Sequence, residues 1–161
     1  MIKGIIFDLD GTLVRLPIKY DKIFTKLQDL FDTKDEFKPL IQTIVKKANN
    51  DSMLIEKAFN IICKEEVIAA NNFKVIDDSI NILNYFKNKN YLLCLVTMQC
   101  MKAAQIVLDK MQISELFSSI ITRDISSERS IQIKKSVDVL SFFPGEVMVV
   151  GDRIHDVVSA K

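Results

Sequence analysis

The chain is short of most features that would assign it quickly. Its net charge is only +1, so no global charge argues for nucleic acid or an anionic membrane. It has a single histidine, His155, with no serine or cysteine motif beside it, so a histidine-based nucleophilic site has no support. The three cysteines, Cys63, Cys94 and Cys100, are odd in number and form no close metal-type pair; they read as buried or free thiols of a reducing compartment. No apolar run approaches the roughly 20 residues of a membrane span. The opening "MIKGIIF" is too short for a signal peptide and is broken by Asp8. Repeats and low-complexity tracts are missing too. A cytoplasmic protein with no membrane and no nucleic-acid partner is expected.

What is present is an ordinary globular composition, 161 residues, 48% hydrophobic and 27% charged, enough for one sizeable core. Ile2–Phe7, Tyr91–Thr97 and Glu146–Gly151 are short apolar runs of the kind buried on both faces of a parallel sheet, and Phe117–Thr122 is a weaker one. Between them lie helical patterns: Ile80, Leu83, Tyr85 and Phe86; Ala103, Ile106, Val107 and Met111; Ile133, Val137 and Leu140. Strands alternating with helices predict right-handed βαβ units and a doubly wound, Rossmann-like parallel sheet, an α/β fold with the first strand central. Residues 15–75 differ. Ile23, Phe24, Leu27, Leu30 and Phe31, then Leu40, Ile44 and Val45, then Met53, Ala58, Phe59 and Ile62 recur at helical spacing, and no good strand is visible. This predicts a small all-helical cap of about three helices inserted after the first strand. The domains expected are thus 1–14 with 76–161 as a discontinuous core, and 15–75 as the cap. "EVMVVGDRIHDVVSAK" begins a strand and a helix and then ends at Lys161, so a C-terminal strand is expected to be missing. Val147–Val150 would be a sticky edge, covered by a homodimer partner or by the short C-terminal segment.

The chemistry concentrates at strand ends. "GIIFDLDGTLV" is an apolar strand that runs into Asp8 and Asp10, then Gly11 and Thr12. Asp152 and Asp156 in "GDRIHD" follow another strand. Ligands of open α/β sheets bind beyond the carboxyl ends of strands. If these strands are neighbours, three or four carboxylates converge and repel unless a cation sits among them. Oxygen-only donors select a hard ion, Mg2+ first. A hard cation beside a carboxylate nucleophile suits phosphoryl transfer. Thr97, at the end of "LCLVT", offers a hydroxyl to a phosphate oxygen. Arg129, Lys134, Lys135 and Arg153 are the candidate cations.

These stretches resemble the haloacid dehalogenase-like (HAD) superfamily, in its phosphatase branch with a type 1 helical cap, phosphoglycolate phosphatase-like. "DLDGTL" is similar to the family's first motif, "LVTM" to the second and "VVGDRIHD" to the fourth, in the family's order. The resemblance implies Asp8 as the nucleophile that forms an aspartyl-phosphate and Asp10 as the acid and base. It implies Mg2+ held by Asp8, the Asp10 carbonyl and Asp152 with help from Asp156, and Thr97 on the transferring phosphoryl group. Hydrolysis of a small phosphorylated metabolite would follow. The third motif departs from the family: "SSERSIQIKKSVDVL" has no Lys-Pro. Counting back from Gly151-Asp152 favours Arg129 for that role, with Lys134 second. Met98 stands where many relatives have a small or polar residue. A phosphosugar mutase of the same superfamily and a non-catalytic or truncated protein of this fold are the alternatives.

Overall fold

A computed structural model describes residues 1–159, the side chain of His155 excepted; the expectation about Lys161 lies outside the described residues. A four-stranded parallel sheet has the order β5-β4-β1-β6, with β1 at Gly4–Phe7, β4 at Leu92–Val96, β5 at Phe117–Ile121 and β6 at Val147–Val150. The register pairs Phe7 with both Leu95 and Val150. All three of these strands therefore end at the same edge.

Strand alternation splits the core in two, because successive side chains face opposite sides of a sheet. Ile5, Phe7, Leu93 and Leu95 pack with Leu83, Ala103, Val107 and Leu108 on one face. Ile6, Cys94, Val96 and Ile121 pack with Ile133 and Leu140 on the other. The helices on these faces are α4 (Ser79–Asn88), α5 (Met101–Met111) and α6 (Arg129–Leu140), and a short α7 (Ile154–Ser159) follows β6. Tyr85, expected on the buried stripe of α4, is exposed.

Three helices lie between β1 and α4: α1 (Tyr20–Leu30), α2 (Leu40–Ala48) and α3 (Ser52–Ala70). They enclose their own apolar cluster of Ile23, Leu27, Phe37, Ile41, Ile44, Ala58 and Ile62. Val45 and Met53 are exposed instead, because α2 buries the Ile41, Ile44 and Ala48 stripe and α3 turns Ala58 and Ile62 inward. Asp51 caps α3 by accepting the Leu54 N–H at 3.0 Å. The insert opens and closes through an antiparallel ribbon of β2 (Val14–Arg15) and β3 (Lys74–Val75). The far half of α3 leaves the insert's cluster and packs on α5, with Cys63, Val67 and Ala70 joining the core beside the sheet.

That packing corrects the reading of the cysteines. Cys63 on α3 and Cys100, which precedes α5, form a disulfide, with their Cα atoms 5.6 Å apart; Cys94 alone is free, and burial pushes its thiol up to about 11. The sequence separation of 37 between the two cysteines conceals what helix packing brings together. Closing a loop of that size predicts that Cys63→Ser lowers the unfolding free energy by about 2–4 kcal/mol. Denaturant titration of the oxidised protein measures it. Alkylation of all three cysteines in the unreduced, denatured chain would contradict the bond.

Candidate active site

β1 delivers Asp8 to the shared strand edge because its apolar residues fill both sheet faces and the polar residue comes next. The Asp8 N–H donates to the Val150 carbonyl at 2.9 Å, which extends the β1–β6 pairing by one step. Thr97 follows β4 in the same way and donates its N–H to Ile121 at 2.9 Å. After β6 the chain turns through Gly151 and Asp152 into α7, which carries Asp156.

Carboxylate oxygens of Asp8, Asp152 and Asp156 all lie within 4.8 Å of one another. Two glycines make this possible. Gly11 has φ +92, a left-handed conformation that favours glycine, and a Cβ there would strike the Asp152 carboxylate. A Cβ on Gly151 would strike the Asp156 carboxylate. Arg129, the first residue of α6, reaches this cluster. It donates to Asp8 Oδ1 at 3.0 Å, to Asp156 Oδ1 at 2.6 Å and to the Val96 carbonyl at 2.8 Å.

Electrostatics follow from burial. Desolvation raises the Asp8 carboxyl from 3.8 to about 6; the Arg129 guanidinium opposes the rise and the Asp156 carboxylate adds to it. Asp10 is also raised, chiefly by burial, although its Oδ1 accepts the Leu16 N–H at 2.9 Å. Because Asp8 titrates above its unfolded value of 3.8, the unfolded chain loses that proton first as pH rises. Asp8 therefore makes the metal-free fold progressively less stable from about pH 4 to about pH 6. A cation held by these carboxylates would reverse that term, so any affinity for Mg2+ would rise with pH through about 6 and then level off. Calorimetric Mg2+ titrations across that range, with proton release followed in buffers of different ionisation heat, check it.

The cluster opens into a cleft of about 420 Å³ between the sheet edge and the helical insert. Asp8, Asp10, Thr97, Arg129, Arg153 and Asp156 line it. Thr97 is buried, and its hydroxyl accepts the Gln99 N–H at 3.2 Å. Asp152 flanks the cleft, with Arg153 Nε 3.9 Å from its Oδ1. Lys134 is not brought here: it is exposed and outside the lining. Five residues beyond Arg129, it lies about 140° around α6. Lys135 is exposed and outside the lining as well.

Two charged lining residues that pair with each other escaped the sequence reading. Glu66 on α3 and Arg123 just past β5 form a buried two-point ion pair, at 2.7 and 2.8 Å. Arg123 also donates to the Met98 carbonyl at 2.6 Å, and Glu66 accepts the Cys100 N–H at 2.9 Å. Arg123 follows a strand on the same sheet edge as Asp8 and Thr97, which was the available signal. Met98 itself packs against the insert's apolar cluster, which accounts for a large side chain at that position.

Carboxylates gathered at the carboxyl ends of parallel strands, under a helical layer, define the class: an α/β protein with a strand-end cleft suited to a hard cation. The chain belongs to the haloacid dehalogenase-like hydrolase family, whose model matches residues 5–161. It is similar to the pyrophosphatase PpaX of Oceanobacillus iheyensis, 26% identical over an alignment 174 residues long, gaps included, that covers 99% of this chain and 79% of that protein. It is also 26% identical to a PpaX of Clostridium perfringens, over 100% of this chain and 80% of that one. Among solved structures, CbbY from Rhodobacter sphaeroides in complex with phosphate aligns with a TM-score of 0.73 at 14% identity, covering 99% of this chain and 82% of CbbY. A predicted phosphatase from Clostridium acetobutylicum aligns at 0.72 and 20%, covering 99% and 80%.

Proposed function

We propose that the chain is a Mg2+-dependent phosphatase that hydrolyses small phosphomonoesters through an aspartyl-phosphate on Asp8. One observation carries the reading: three carboxylates within 4.8 Å of one another, two of them, Asp8 and Asp156, bridged by Arg129 and sharing a cleft with Thr97. The names of the PpaX relatives and of the phosphate-bound CbbY agree with phosphoryl chemistry.

The donor set fits a hard cation, because it is all oxygen and the glycines leave room around it. Asp8, Asp152 and Asp156 would hold Mg2+, with the Asp10 carbonyl as a further donor. When bound, Mg2+ supplies positive charge that offsets the carboxylates and the phosphate oxygens.

The chain's own groups carry the steps. An Asp8 carboxylate oxygen attacks phosphorus as the bond to the leaving oxygen breaks. Asp10 gives its proton to that oxygen, and a raised carboxyl pKa suits this donor. Asp10 then takes a proton from water, which attacks the same phosphorus and frees Asp8. The Thr97 hydroxyl holds a phosphoryl oxygen, and Arg129 supplies the charge that a third-motif lysine gives elsewhere. Residues 15–75 act as the cap that closes over the substrate and excludes water, with 1–14 and 76–161 as the core.

Phosphate release from p-nitrophenyl phosphate, with Mg2+ and with chelator, tests the reading. Release only with Mg2+ is expected; equal release in both would overturn the metal dependence. Among the described residues no helix is long and apolar enough to cross a membrane, and the partner expected is a small phosphorylated metabolite. β6 is an edge strand, and a homodimer through it predicts sedimentation that depends on concentration.

A further inference from the structure

The cleft is chemically lopsided. Its sheet side carries the arginines and four of the five carboxylates, while its insert side, Tyr20, Gln42 and Glu66 apart, is apolar: Ile18, Leu40, Ile41 and Ile62, with Met98 from the loop after β4. No lysine lines it among the described residues. Two of its three arginines are already engaged, Arg123 by Glu66 and Arg129 by Asp8 and Asp156, while Arg153 is exposed on the sheet side with its Nε 3.9 Å from Asp152. Five carboxylates face these three arginines. Gln99 adds a buried amide oxygen with no hydrogen-bond donor.

We propose that the leaving-group half of this cleft selects a carbon-rich alcohol, so that the substrate is an organic phosphomonoester with an apolar leaving group rather than pyrophosphate. The inference rests on the phosphatase reading above and names its substrate class. A second phosphoryl group seated against Leu40, Ile41 and Ile62 would meet no cation from the insert side of the lining, and desolvating its charge there is unfavourable. An apolar alcohol gains instead from burial against Leu40, Ile41 and Ile62.

The test compares kcat/KM with Mg2+ for benzyl phosphate, ethyl phosphate and pyrophosphate. Benzyl phosphate is expected to exceed each of the others by at least about tenfold, the scale on which apolar pockets discriminate. Leu40→Lys should shrink the benzyl-to-pyrophosphate ratio at least about fivefold, by placing a cation in the apolar wall. Gln42→Lys, at an exposed position lining the same cleft, repeats the test without touching the packed interior. Pyrophosphate turned over as well as or better than benzyl phosphate would overturn this inference alone. No release from any of the three by the folded, Mg2+-loaded protein would overturn the phosphatase reading and this inference with it.

Discussion

Asp8→Asn is expected to lower phosphate release from p-nitrophenyl phosphate by at least about a thousandfold, as removal of a covalent nucleophile does. The amide is nearly the same size, so the packing at the end of β1 stays intact. It cannot attack phosphorus, and it brings no charge to the cluster of Asp152 and Asp156. The substitution should also raise stability. Burial holds the Asp8 carboxyl near 6, so a charged Asp8 opposes folding at neutral pH in the absence of metal. In chelator, Asp8→Asn should melt higher than the parent at pH 8, and the gap should close near pH 4, where the parent's Asp8 is already neutral. Loss of activity together with gain of metal-free stability distinguishes a functional carboxylate from a mere strand-end turn. A variant that is both active and no more stable would contradict the role given to Asp8.

Arg123→Met is expected to cost about 3–5 kcal/mol, the usual penalty for leaving one member of a buried ion pair alone. Arg123 and Glu66 have side chains only 1% and 4% exposed. Without the guanidinium, Glu66 keeps a single backbone donor, from Cys100. For a chain of this length the melting point should fall by about 10 °C. Adding Glu66→Gln removes the stranded charge and should recover part of the loss, a coupling that a double-mutant cycle measures. A loss below about 1 kcal/mol for Arg123→Met would show that the pair is not holding α3 against the strand ends.

The strand-end carboxylates were legible because a run such as Gly4–Phe7 buries both faces and stops abruptly at an acid. Asp8, Thr97 and Asp152 each follow such a run, and a parallel sheet brings such ends to one edge. Counting back from Asp152 led to residues 127–129, and Arg129 was singled out there as a charge at the start of a predicted helix. Lys134, ranked second, is turned out to solvent by helix phase. The Glu66–Arg123 pair was hidden by 57 residues of separation, and by the look of Glu65 and Glu66 as an ordinary solvated step on a helix. Both are buried, Glu65 against Lys26 at 2.7 Å. The ribbon of β2 and β3 has two residues in each strand, too few for any period. The Cys63–Cys100 bond arises from α3 lying across α5, a tertiary contact that cysteine spacing does not encode.

The covalent step is tested most directly by trapping the intermediate. In Asp10→Asn, p-nitrophenol leaves without needing a proton donor, so Asp8 still takes up the phosphoryl group while the attack of water slows. Acid quench and borohydride reduction of that variant, with peptide mass spectrometry, should find residue 8 converted from aspartate to homoserine, and only after incubation with substrate and Mg2+. Turnover with residue 8 unchanged, or the modification at another carboxylate, would contradict the account.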